Sequence, residues 1–268
     1  MNNLIKKQDK ELTAGDKISI LMVLFLLFVR LADQDLSKLI SGSNIPVEFG
    51  DWYATIVFVL CLIYIWIKRN NLLSINIDKP FLRIVILAGG MLAIFYLSGL
   101  MSLIVGAIDV FMCVAFYYGE FDFGHPTRHD SRTWLWILLA LVPILPMYIS
   151  KINLPIKSQV DASFVYESIL DAQLPLIVFE ELLFRGMLWS LLRSFGLNDR
   201  IIFYVQALLF WIAHRRFILV QANYSFWLAT PLFALLLGIM VWRYKSLKPS
   251  TTAHFLINLL IAFINNAY

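Results

Sequence analysis

Phe179-Glu180-Glu181-Leu182-Leu183-Phe184-Arg185-Gly186, residues 179–186, sets three charges inside a stretch otherwise fit for the interior of a lipid bilayer. A charge at the centre of a membrane helix costs about 2.5–3.5 kcal/mol on insertion scales, so such residues face a polar cavity and mark a site. At about 100° per residue, Glu181 and Arg185 are four apart on one helix face, and Glu180 points about 100° away. The spacing therefore predicts one structural ion pair, Glu181 with Arg185, and one working carboxylate, Glu180, left free of it. The plainer alternative is that all three charges only tie helices together.

The rest of the chain settles the fold class. Of its 268 residues 60% are hydrophobic and 15% charged, and the mean hydropathy is +0.76. Soluble domains do not have this composition, and the expected fold is an all-α polytopic membrane protein. The net charge of +4 comes from 22 Lys and Arg against 18 Asp and Glu with no basic block, which argues against nucleic acid as a partner. Membrane lipids and a membrane-associated peptide or protein are the partners expected. Cys61 and Cys113 lie far apart in apolar stretches, so neither a disulfide framework nor a thiolate metal site is indicated. The first apolar run, 18–29, follows four lysines as a signal peptide would, yet Arg30-Leu31-Ala32-Asp33 offers no small-x-small cleavage site. A retained anchor is expected.

Measured against the roughly 20 apolar residues that cross a bilayer, candidate spans are 18–32, 52–67, 84–118, 134–149, 164–195, 201–214, 226–242 and 251–267. The run 84–118 is too long for one crossing and carries Gly89, Gly90, Gly99 and Gly106, so a helical hairpin, and eight or nine spans in all, are expected. Splitting it places fifteen Lys and Arg on the amino-terminal side and six, Arg30 among them, on the other, the inner-side excess typical of membrane proteins. Residues 1–160 read as scaffold helices with few intramembrane polar groups, Asp109 excepted, and Pro143 and Pro146 predict a kinked helix. Residues 161–268 read as a half of different character, because Glu180, Glu181, Arg185, His214, His254 and Asn258 all fall within or at the ends of its four successive spans.

His214 closes Phe210-Trp211-Ile212-Ala213-His214, with Phe210 one turn below it on the same face. His254 and Asn258, four apart, share another face. Counting 1.5 Å per residue from the basic ends, Glu180 and His214 lie about 20 and 21 Å deep, Asn258 about 15 Å and His254 about 9 Å. Glu180 and His214 are thus expected at one level and His254 several ångströms shallower.

Glu-Glu-x-x-x-Arg at 180–185, Phe-x-x-x-His at 210–214 and His-x-x-x-Asn at 254–258, in that order on the first, second and fourth helices of a four-helix core, resemble the CAAX protease and bacteriocin-processing family of intramembrane proteases, also called the Abi family. The resemblance covers about residues 161–268. It implies that Glu180 and His214 activate a water, that His254 and Asn258 bind the scissile carbonyl, and that Glu181, Arg185 and Phe210 support them. The family is often labelled metalloprotease, and it implies a multi-pass protein of a bacterial inner membrane.

Peptide hydrolysis needs an activated water and donors at the developing oxyanion, and carboxylate, imidazole and amide side chains supply both. Glu180, His214 and His254 are also the ligand set of a catalytic zinc with one open position. The residues leave both routes open, and the shallower level of His254 favours the metal-free one. The competing class is a non-enzymatic immunity or partner-binding protein in which the same residues lock helices together.

Overall fold

The computed structural model of the chain describes residues 14–41, 132–151, 173–219 and 222–267. The expected spans 52–67 and 84–118, with Asp109, Cys61 and Cys113, lie outside the described residues, as does 164–172. Among the described residues the regular structure is helical and contains no strand.

The helices are α1 (Ala14–Ser41), α2 (Thr133–Lys151), α3 (residues 173–194), α4 (Asp199–Ala213), the short α5 (Arg216–Leu219), α6 (Ser225–Tyr244) and α7 (Lys248–Ala267). Both α2 and α6 are long and apolar enough to cross a membrane, and 20–32 of α1 forms a shorter apolar helix. Their outward faces fit a lipid surrounding. On α1, Leu21, Phe25 and Phe28 recur every three or four residues and are exposed, whereas Val23, Leu26, Leu27 and Arg30 are buried. On α2, Trp134, Leu135 and Leu138 are each at least 60% exposed. So much outward apolar surface is stable against acyl chains and not against water. The chain is an integral membrane protein.

Helices α3, α4, α6 and α7 form the core, with α6 lying against both α4 and α7. On one flank, α1 packs on α3 and α4, where Val23 and Leu26 meet a cluster that includes Leu182, Leu183, Phe210 and Ala234. On the other, α2 packs on α6 and α7, placing Ile137 and Ala140 with Leu237, Met240, Ala253 and Ile257. The helix α2 tightens to a 3-10 turn at Val142–Ile144, where Pro143 cannot donate to the preceding turn. Between α4 and α6 the backbone approach depends on Gly238, whose missing Cβ leaves room for Gln206 and the Phe203 ring.

The turn from α3 to α4 is specified locally. Gly196, at φ +81°, ends α3, with its N–H donating to Arg193 O (2.8 Å) and that of Leu197 to Leu192 O (3.2 Å). Asn198 then caps α4 by accepting the Ile201 N–H at 2.9 Å. At this end Asp199 accepts from Arg193 Nε and Nη2, both at 2.6 Å, from Trp189 Nε1 at 3.1 Å and from Lys245 Nζ at 3.5 Å. The Arg193 guanidinium holds its carboxyl at about 2, well below the usual carboxylate range. The Arg243 guanidinium lies 6.0 Å from the Trp136 ring, so the start of α2 belongs to this end too. The bundle thus gathers Arg193, Arg243, Lys245 and the start of α2 at one end, as the charge distribution expects.

Arg30 departs from that distribution. It is no loop cation: α1 runs unbroken to Ser41, and the Arg30 side chain is buried against α3 and α4.

Candidate active site

Four helices deliver the polar groups to one buried point. The segment Glu181–Met187 of α3 is a π-helical turn, closed by the Leu188 N–H donating to Leu183 O, five residues back. Such widened turns concentrate at functional sites. Within it Arg185 Nη1 donates to Glu181 Oε1 at 2.9 Å, with both side chains fully buried, so the expected pair forms. Glu180 does not stay free. Arg30 donates to Glu180 Oε1 through Nε at 3.0 Å and through Nη2, an ion pair that local spacing could not reveal because its members are 150 residues apart.

His214 is placed by the end of α4. The last carbonyls of a helix lack backbone donors, and that of Phe210 accepts a hydrogen bond from His214 Nδ1 at 2.8 Å. This fixes the tautomer, leaving the Nε2 lone pair 3.8 Å from Glu180 Oε2. His254, on α7, bridges both carboxylates. Its Nδ1 donates to Glu181 Oε1 at 2.9 Å and its Nε2 lies 3.7 Å from Glu180 Oε2. The expectation that His254 sits several ångströms shallower is therefore overturned, since α7 begins at a level that counting residues from Lys248 does not register. Asn258 lies one turn further along α7 and is half-buried, and among the described residues no hydrogen bond joins it to the cluster.

Phe210 forms the apolar wall. Its ring lies 4.4 Å from the His214 ring, meets the His254 ring edge-on at 5.7 Å, and carries the Arg185 guanidinium over its face at 4.1 Å. That last contact offsets the burial of Arg185 Nε and Nη2, which have no hydrogen-bond partner among the described residues. Arg30 is the residue that sequence reasoning missed. The available signal was a deficit, because two intramembrane carboxylates had only Arg185 to balance them.

Glu180 Oε2 lies 3.8 Å from His214 Nε2 and 3.7 Å from His254 Nε2, too long for direct hydrogen bonds and suited to a bridging water. The same three side chains are the zinc ligands that the residue types suggested. A dication there would add two charges to a cluster in which Arg30 and Arg185 already pair with Glu180 and Glu181.

Residues 167–260 match the family model described as type II CAAX prenyl endopeptidase Rce1-like. Over these residues the chain is similar to the CAAX protease family. The matched segment contains Glu180, Glu181, Arg185, His214, His254 and Asn258, and ends before the last turns of α7. Arg30, which completes the cluster, lies outside it. Neither the curated proteins nor the solved structures gave a match.

Proposed function

We propose that the chain is an intramembrane endopeptidase that hydrolyses a peptide bond in a membrane-associated or lipidated protein or peptide. The observation that carries this reading is the convergence of Glu180 Oε2, His214 Nε2 and His254 Nε2 on one buried point. A water there donates one proton to Glu180 and is oriented by the His214 lone pair. It attacks the scissile carbonyl carbon, and Glu180 returns the proton to the leaving amine as the C–N bond breaks, so the carboxylate is regenerated. His254, oriented by Glu181 much as a catalytic histidine is oriented by a carboxylate, stabilises the developing oxyanion. Asn258, one turn along the same helix, is the second oxyanion donor. No step uses a metal. The surrounding protein crosses a bacterial plasma membrane eight or nine times, with the basic end of the bundle inside.

One observation favours the non-enzymatic alternative of an immunity or partner-binding protein: each carboxylate has an arginine partner, as helix-locking pairs require. Cleavage decides between the two. The full chain in lipid vesicles, purified without added metal, is expected to cleave a farnesylated CAAX peptide in the presence of chelator, and Glu180→Gln is expected to abolish turnover per folded molecule. Wild-type turnover by Glu180→Gln would overturn the assignment, and loss of wild-type turnover in chelator, restored by zinc, would overturn the metal-free route.

A further inference from the structure

Arg30 is a costly residue in the described part of the chain. It is 2% exposed within the otherwise apolar stretch 20–32 of α1, outside the matched residues 167–260. Its guanidinium is used asymmetrically. Nε and Nη2 both donate to Glu180 Oε1, while Nη1 reaches the carbonyl of Ala213, the last residue of α4, at 3.4 Å. A bidentate pair would spread over both carboxylate oxygens and hold them equally. Here Oε1 is taken and Oε2 stays directed at His214 and His254. Through Ala213 the same side chain also touches the residue preceding His214. The other charged groups at this point, Glu181 and Arg185, pair with each other, so Arg30 is the cation bonded to Glu180. Lysine could supply the charge but not the planar fork that spans a carboxylate and a carbonyl.

We propose that Arg30 is a positioning residue of the hydrolytic site: from α1 it anchors Glu180 Oε1 and the end of α4, fixing Oε2 against the His214 and His254 rings. This rests on the endopeptidase reading. It makes α1 part of the active site and not only a lipid-facing scaffold helix.

The test uses the full chain in vesicles with a farnesylated CAAX peptide and compares Arg30→Lys, Arg30→Met and the double variant Arg30→Met/Glu180→Gln. Displacing a catalytic group by about 1 Å can cost about 10²-fold in rate. Arg30→Lys is therefore expected to keep the wild-type KM and melting temperature and to lose about 10²-fold in kcat. Arg30→Met should lose more and melt lower, and adding Glu180→Gln should restore melting but not turnover. A purely structural role predicts the opposite for lysine, namely wild-type kcat per folded molecule, and that result would overturn the proposal while leaving the endopeptidase reading intact. Absence of cleavage by the wild-type chain would overturn both.

Discussion

Arg30 Nε donates to Glu180 Oε1 at 3.0 Å, across 150 residues of chain. This bond joins an apolar helix at the start of the chain to the charged octapeptide of α3, and it changes what a substitution at Glu180 does. Neutralising Glu180 removes a base and also leaves a buried guanidinium without its counter-charge. Its effect on turnover must therefore be read per folded molecule.

The Glu181–Arg185 pair is expected to be a stability element. Glu181→Gln or Arg185→Ala leaves a fully buried charge without its partner, a loss of about 3–5 kcal/mol. Glu181→Gln also weakens the acceptor that orients His254 Nδ1. Melting in detergent should fall for both variants, and an unchanged melting temperature would show that the pair is solvated.

Asp199 sets an acid limit on the basic end of the bundle. Its folded value is depressed to about 2 from 3.8, chiefly by the Arg193 hydrogen bonds. The stability it adds is therefore full above about pH 4 and is lost as the pH falls through about 2. Asp199 lies at the head of α4 and is partly solvated, so Asp199→Asn should cost only about 1 kcal/mol at neutral pH and nothing below that window. Melting temperature against pH for the two proteins should converge in acid.

Gly238 is expected to tolerate no side chain without rearrangement. A Cβ there would collide with Gln206 Nε2 and lie 3.0 Å from Phe203 Cε2, so Gly238→Ala should cost about 1–3 kcal/mol. In a Gln206→Ala background the loss should shrink, because the colliding atom is gone. Equal losses in both backgrounds would place the strain at Phe203 alone.

Topology has a direct readout. Cysteines introduced at Arg132 and Ser246 should label from the same face of the membrane, because Arg243 lies over Trp136 in the first turn of α2. The inner-side excess of Lys and Arg assigns that face to the cytoplasm. Labelling from opposite faces would break both the helix arrangement and the split of 84–118.

Local spacing was enough for part of this protein. Hydropathy alone specifies membrane helices, because a backbone in lipid must satisfy its own hydrogen bonds. The Glu181–Arg185 pair and the stacking of Phe210 under His214 follow from a four-residue offset, a distance that helix geometry sets without reference to the rest of the fold. Tertiary structure decided the remainder. The level of His254 depends on where α7 starts and how it leans on α3, and counting 1.5 Å per residue from a basic end assumes parallel helices with level ends. His254 can meet both carboxylates because an imidazole has two nitrogens on different edges, a role visible only once α7 is set against α3. The partner of Glu180 was hidden most completely, since no local rule connects residues 30 and 180, and only the packing of α1 on α3 and α4 brings them together.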